Sequence, residues 1–167
     1  MPETRSHRGF SLIELVIVVL IIGIISAIAI PRISRGSGNA ADAALSGNLA
    51  VLRNAIELYG TEHNGDFPKI DATDTFEKQL TLFTDAKGNT SETKTGDYVY
   101  GPYLRKVPPL PVGGNDYKGK TTVADATAGV PGTTKNAGWH YNATTGEIKA
   151  NVPDTEVDRN SVKYNSY

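Results

Sequence analysis

Hydrophobic residues are concentrated at one end of the chain. From Phe10 to Ile30 the sequence reads FSLIELVIVVLIIGIISAIAI, and only two serines and Glu14 interrupt it with polar side chains. At ~1.5 Å per residue, such a run forms about 30 Å of helix, which matches the hydrocarbon thickness of a bilayer. We therefore predict a membrane-spanning helix over residues 10–30.

The segment before this run predicts its orientation. Residues 1–9 are polar and include Arg5 and Arg8 close to the apolar boundary. Basic residues flank the cytoplasmic end of a membrane span. The pattern therefore predicts a cytoplasmic N-terminus and an exported remainder, and no second apolar run of this length follows Ile30.

A helical pattern continues past the predicted span, over residues 31–63. One apolar face recurs at steps of 4, 4, 3, 4 and 3, as expected for an amphipathic helix that packs on a core. Pro31 removes one amide donor and is expected to bend the helix. The sequence Asn64-Gly65-Asp66-Phe67-Pro68 then predicts a turn. The residues of the apolar face are Ala41, Leu45, Leu49, Leu52, Ile56 and Tyr59.

Residues 64–151 have the pattern of a small α+β domain. Phe76, Leu80 and Phe83 predict a short helix over 74–83, which is followed by a polar loop and a proline-containing segment. The clearest strand signal lies between Gly138 and Asn151, where alternation around a turn predicts an antiparallel hairpin. The polar segment 152–167 is expected to be a frayed tail, with Tyr164 and Tyr167 as the residues that could contact the surface of the domain.

The apolar run has three ordinary explanations. It could be a plain single-pass anchor, or a signal peptide cut after Ala29, since Ala27 and Ala29 have the small-x-small form of a cleavage site. However, the run is longer than the usual h-region of about 7–15 residues. A buried core helix is the third explanation, but a helix that is apolar on all faces does not suit so small a domain.

Glu14 distinguishes between these explanations. A carboxylate inside a membrane span costs roughly 2.5–3.5 kcal/mol on insertion scales, and a simple anchor has no use for it. If the chain is cut after Gly9, the new amine of Phe10 lies one helical turn away. Glu14 of one subunit can then pair with the Phe10 amine of its neighbour, which would fix the register of stacked helices.

The string Gly9-Phe10-Ser11-Leu12-Ile13-Glu14, after a basic leader and before a full span, resembles the cleavage and methylation site of type IV pilins and pseudopilins. The resemblance implies a pilin-like α+β fold, with a long N-terminal helix packed on a small antiparallel β-sheet. It also implies cleavage between Gly9 and Phe10 by a prepilin peptidase, and N-methylation of Phe10. Pro31 lies where many pilins carry a helix-bending proline.

The same resemblance implies a structural role in the bacterial inner membrane, with a periplasmic C-terminal domain. The partners expected are copies of the chain in a helical filament, minor pseudopilins, the prepilin peptidase/methyltransferase, an inner-membrane assembly platform and the lipid bilayer. The system most resembled is type II secretion, as its major pseudopilin, because the chain lacks the cysteine pair of disulfide-closed pilins. A type IV pilus subunit and a membrane-anchored binding module or hydrolase stay open as alternatives.

The amino-acid composition limits the kinds of functional site that the chain can have. The 167 residues contain no cysteine, which excludes disulfides and thiol catalysis, and the net charge of −1 does not suggest nucleic-acid binding. No enzyme motif is present, so we expect no catalytic residues. The three histidines lack metal-ligand spacing and are interpreted as surface or turn residues. Carboxylates in exported loops are candidate calcium ligands, with solvated loop charges as the alternative; these are Asp116, Asp125, Asp154 and Asp158.

Overall fold

The structure is a computed structural model that describes residues 10–70, 75–126 and 129–167, without the side chains of 30–37. It divides into two compact units, Met1–Asn39 and Ala40–Tyr167. The long helix α1 (Leu12–Glu62) contributes its first part to one unit and its second part to the other. Each unit is described by itself below.

The described part of the first unit consists of Phe10, Ser11 and the helical residues that follow. Its large apolar side chains are exposed in every direction, including Val16, Leu20 and Ile24. Residues Leu12–Ala29 form a helix that is long and apolar enough to cross a membrane. The predicted apolar helix is therefore present, and its position in a membrane stays a prediction.

In the second unit, α1 contributes one buried face, and the predicted apolar face is the observed one. Its members from Leu45 onward are all buried, and Ala41 is partly buried against the same cluster. The helix ends where the turn was predicted. Asn64 takes a left-handed φ of 58°, and the Gly65 amide donates to the Gly60 carbonyl at 2.8 Å, which closes the last turn.

The rest of the second unit is built from short elements. Helix α2 (Phe76–Thr81) is followed by the small antiparallel pair β1 (Phe83–Thr84) and β2 (Thr90–Ser91). The second sheet contains β3 (Val123–Asp125), β4 (Trp139–Asn142) and β5 (Glu147–Ala150) in the spatial order β3-β4-β5. This arrangement is α+β and consistent with a pilin-like fold.

The hairpin β4–β5 confirms the strongest strand prediction. Trp139 pairs with Ala150 across the hairpin, and its fully buried indole donates from Nε1 to the Pro108 carbonyl at 2.8 Å. The purely antiparallel sheet that was expected is only part of the arrangement, because β3 pairs with β4 in parallel. Parallel strands cannot be joined by a tight hairpin turn, so local alternation around a turn could not predict this pairing.

The expected frayed tail is instead an ordered segment, which corrects the prediction. Tyr164–Ser166 form one turn of 3₁₀ helix, and the Tyr164 hydroxyl donates to Asp42 on α1 at 2.9 Å. Arg53 on the same helix donates to the main-chain oxygen of Tyr167. The contacts of this segment to α1 and to its own loop are hydrogen bonds, so a segment of polar residues can be ordered here.

Candidate functional site

The predicted assembly residues lie at the first turn of α1. Phe10 precedes the helix, and its side chain is 84% exposed. The helix begins at Leu12, and Glu14 is in its first turn. Gly9, the other half of the predicted cleavage site, lies outside the described residues, so cleavage and methylation remain predictions.

Glu14 makes a hydrogen bond within its own chain. Its carboxylate oxygen Oε2 accepts from the main-chain N–H of Ser11 at 2.9 Å. The first main-chain N–H groups of a helix have no partner inside the helix, so a carboxylate here satisfies one of them. This role of Ser11 was not predicted, although the spacing Ser-x-x-Glu is a recognised helix-start pattern.

The surroundings of Glu14 are apolar. It is the only ionisable side chain between Phe10 and Ile30. Neighbouring side chains such as Leu15 and Val16 are more than half exposed. This helix surface is apolar on every side and carries one carboxylate near its start, so it suits lipid or the apolar surface of similar helices better than water.

The predicted bend at Pro31 falls where the described backbone stays helical. Helix α1 continues through this position, from Leu12 to Glu62. A proline can be accommodated inside a helix with only a change of direction. The bend itself remains a prediction.

Two of the calcium candidates lie in the C-terminal segment and already have protein partners. Asp154 accepts from Lys163 and from Asn165, and these bonds hold the pKa of its carboxyl below the usual range. The pKa of Asp158 is also lowered, chiefly because the Tyr167 hydroxyl donates to it at 2.6 Å. The hydrogen bonds of these two carboxylates therefore hold the C-terminal segment in a closed loop.

The other two candidates lie elsewhere. Asp116 forms an exposed ion pair with Lys135 at 3.2 Å, and Asp125 is in β3. Across the described residues, no three acidic, histidine or cysteine side chains are grouped so that they could hold a metal ion. Calcium needs six to eight converging oxygens, so this donor set does not fit it and the four carboxylates remain an unsupported prediction.

The histidines were expected to be surface or turn residues; His63 does lie in the turn after α1, but both it and His140 are buried. His63 is 2% exposed, with Nδ1 2.8 Å from the Tyr59 carbonyl and Nε2 3.0 Å from the Asp85 carbonyl. Its ring stacks on that of Tyr59, with the two centroids 3.8 Å apart. His140 is also buried, and its Nε2 lies 3.1 Å from the Gly129 carbonyl. Both rings serve the packing of the domain. His7 lies outside the described residues.

One comparison with known proteins bears on the first turn of α1. The family model of the prokaryotic N-terminal methylation motif matches residues 4–30. This range contains the basic leader, the Gly9-Phe10 junction, Glu14 and the apolar helix. No curated protein and no solved structure is significantly similar to the chain. The match supports a type IV pilin-like prepilin leader, which implies processing by a prepilin peptidase, membrane anchoring through one N-terminal helix and assembly of the subunit into a filament.

Proposed function

We propose that the chain is the major pseudopilin of a type II secretion system. The leader of residues 1–9 is removed between Gly9 and Phe10, and Phe10 is N-methylated. The mature subunit stays in the inner membrane with its C-terminal domain in the periplasm. It is then drawn into a helical filament whose growth drives protein export.

The observation that carries this proposal is the position of Glu14. It is the single charge on an exposed apolar helix, and it lies in the first helical turn after the matched leader. The amine created by cleavage is the group that best offsets this charge inside an apolar filament core. The pairing joins Glu14 of one copy to Phe10 of another, so it favours assembly and fixes the axial register.

The preference for a secretion filament over a pilus depends on the cysteine content. The resemblance is to pseudopilins rather than to pilins with a disulfide-closed C-terminal loop, and this chain has no cysteine. Hydrogen bonds from Lys163, Asn165 and Tyr167 close the equivalent end of the domain instead. The C-terminal segment is therefore held in place by hydrogen bonds and needs no disulfide.

Glu14→Ala tests the assembly role. We expect the variant to insert and to be processed like the wild-type chain, because alanine is compatible with a membrane helix, but to give no filaments by sedimentation and electron microscopy. Filaments at the wild-type yield would contradict the pairing. Mass spectrometry of the wild-type subunit should show N-methylated Phe10 as the first residue, whereas a chain that starts at Met1 or Ile30 would rule out the pilin-like processing.

Deletion of the gene in its host separates the two systems. A secretion subunit predicts that exported enzymes accumulate in the periplasm while surface pili persist. Loss of surface pili with normal export would instead assign the chain to a type IV pilus. Complementation with the wild-type gene and with Glu14→Ala provides the matched controls.

A further inference from the structure

The hydrogen bond of Glu14 defines a helix cap. The Ser11 carbonyl accepts from the Leu15 N–H at 3.3 Å, which makes Ser11 the residue immediately before the helix. Glu14 is then the third helical residue, and its Oε2 accepts from the Ser11 N–H. This bond is one half of the reciprocal arrangement known as a capping box.

Such a cap has a particular value in a helix that starts at a membrane. Lipid offers no hydrogen-bond partner to the free N–H groups of the first turn, and each unpaired group there is costly. A carboxylate near a helix N-terminus is also favoured by the helix dipole. Glu14 therefore has a role in its own subunit before any neighbour is present.

The cap also sets the direction of the carboxylate. Bonding to Ser11 turns the Glu14 side chain back toward the start of the helix, on the side of Phe10. Among the described residues, its second oxygen, Oε1, has no hydrogen-bond partner. One oxygen thus holds the side chain, while the other can accept from an amine.

We propose that the main-chain N–H of Ser11 is a positioning group for assembly: it holds Glu14 so that Oε1 is presented to the Phe10 amine of a second copy of the chain. This inference rests on the proposed function. A glutamate that is already oriented loses less side-chain entropy when the neighbour binds, so the cap makes each addition to the filament more favourable.

A matched pair of substitutions tests the positioning role. Ser11→Ala and Ser11→Pro both remove the hydroxyl, but only proline removes the N–H, and proline is tolerated at the start of a helix. Both are purified as full-length mature subunits in detergent micelles, and only chains that mass spectrometry shows to begin at Phe10 are compared. We expect Ser11→Ala to assemble within about twofold of the wild-type rate and Ser11→Pro at least fivefold more slowly. Equal assembly rates would overturn the proposal.

Two variants of Glu14 separate the cap from the charge. In unassembled subunits, amide hydrogen exchange at Ser11 should be similar in the wild type and in Glu14→Gln, because the glutamine oxygen accepts the same bond. In Glu14→Ala it should be roughly fivefold faster. Exchange that is equal in all three would overturn the cap. By contrast, normal filaments from Glu14→Gln would overturn the ion pair of the proposed function while leaving the cap intact.

Discussion

Asn151 offers a sharp test of how the C-terminal unit Ala40–Tyr167 is held together. Its side chain is fully buried just after β5. Its amide nitrogen donates to the carbonyls of Thr134 and Ala137 at 2.7 and 2.8 Å. Its amide oxygen accepts from the Gly132 N–H at 2.8 Å. One side chain therefore organises the loop of residues 132–137, which leads into β4.

Asn151→Asp changes this chemistry with almost no change of shape. The two donors become an oxygen that faces two carbonyl oxygens, and each buried group left without a partner costs about 1–3 kcal/mol. The free energy of unfolding should therefore fall by about 2–6 kcal/mol at pH 7. Burial among carbonyls raises the pKa of the new carboxyl in the folded protein above its unfolded value of about 4. The loss of stability is then largest above the raised folded-state pKa, shrinks as the pH falls from that pKa toward about 4, and is smallest below about pH 4.

The assay is unfolding of the full chain in detergent micelles, followed by the near-ultraviolet circular dichroism of Trp139. Asn54→Asp is the matched control, because Asn54 is exposed on α1 and the same change there should stay within about 0.5 kcal/mol. The reasoning is refuted if Asn151→Asp is as stable as this control at pH 7, or if acidification does not reduce the difference.

Three further predictions concern the same domain and can be checked by the same unfolding assay unless stated. His63→Ala removes a buried ring that stacks on Tyr59 and lies within hydrogen-bond distance of the Asp85 carbonyl, and it should cost about 2–4 kcal/mol; a loss below 1 kcal/mol would contradict this. Gly47→Ala should raise the free energy of unfolding by about 1 kcal/mol, because the added Cβ would meet open space in the helix. Gly146→Ala should lower it, because Gly146 has a φ of +73° and the added Cβ would lie 2.7 Å from an aromatic carbon. A change of the same sign in both variants would refute the argument. The lowered pKa of Asp158 means that its contribution to stability is complete above about pH 4 and is lost as the pH falls through the folded-state pKa. NMR signals of Tyr167 should therefore broaden in acid in the wild type, and Asp158→Asn should remove that dependence.

Periodic apolar patterns predicted the larger elements correctly because they report burial directly. The face from Leu45 to Tyr59 is buried as expected, and Trp139 anchors the hairpin. These features depend on residues close in sequence, for which spacing determines direction. The parallel partner of β4 is three residues long and lies in a segment rich in glycine and threonine; the local pattern indicated a short strand at Lys120 to Val123 but not its pairing with β4.

Buried polar residues were the main failure of the sequence-based prediction. His63 and Asn151 look like surface residues by type, and they are buried because main-chain groups from distant segments meet them. Composition cannot reveal such partners, since a buried polar side chain is acceptable only where its hydrogen bonds are complete. At the start of α1, the role of Glu14 in assembly stays a prediction, and its hydrogen bond with the Ser11 N–H was not predicted.

The C-terminal segment shows how a domain without cysteine can hold its C-terminal end in place. A disulfide typically stabilises by 2–4 kcal/mol, whereas one hydrogen bond contributes about 0.5–1.5 kcal/mol net. Several bonds acting together reach the same range, and here Tyr164 bonds to Asp42, Arg53 to Tyr167, and Asn165 to the Val152 carbonyl. Two of these bonds end on α1, the helix that continues from the predicted filament core. The segment therefore supports the helix that must bear assembly, and it does so without oxidation.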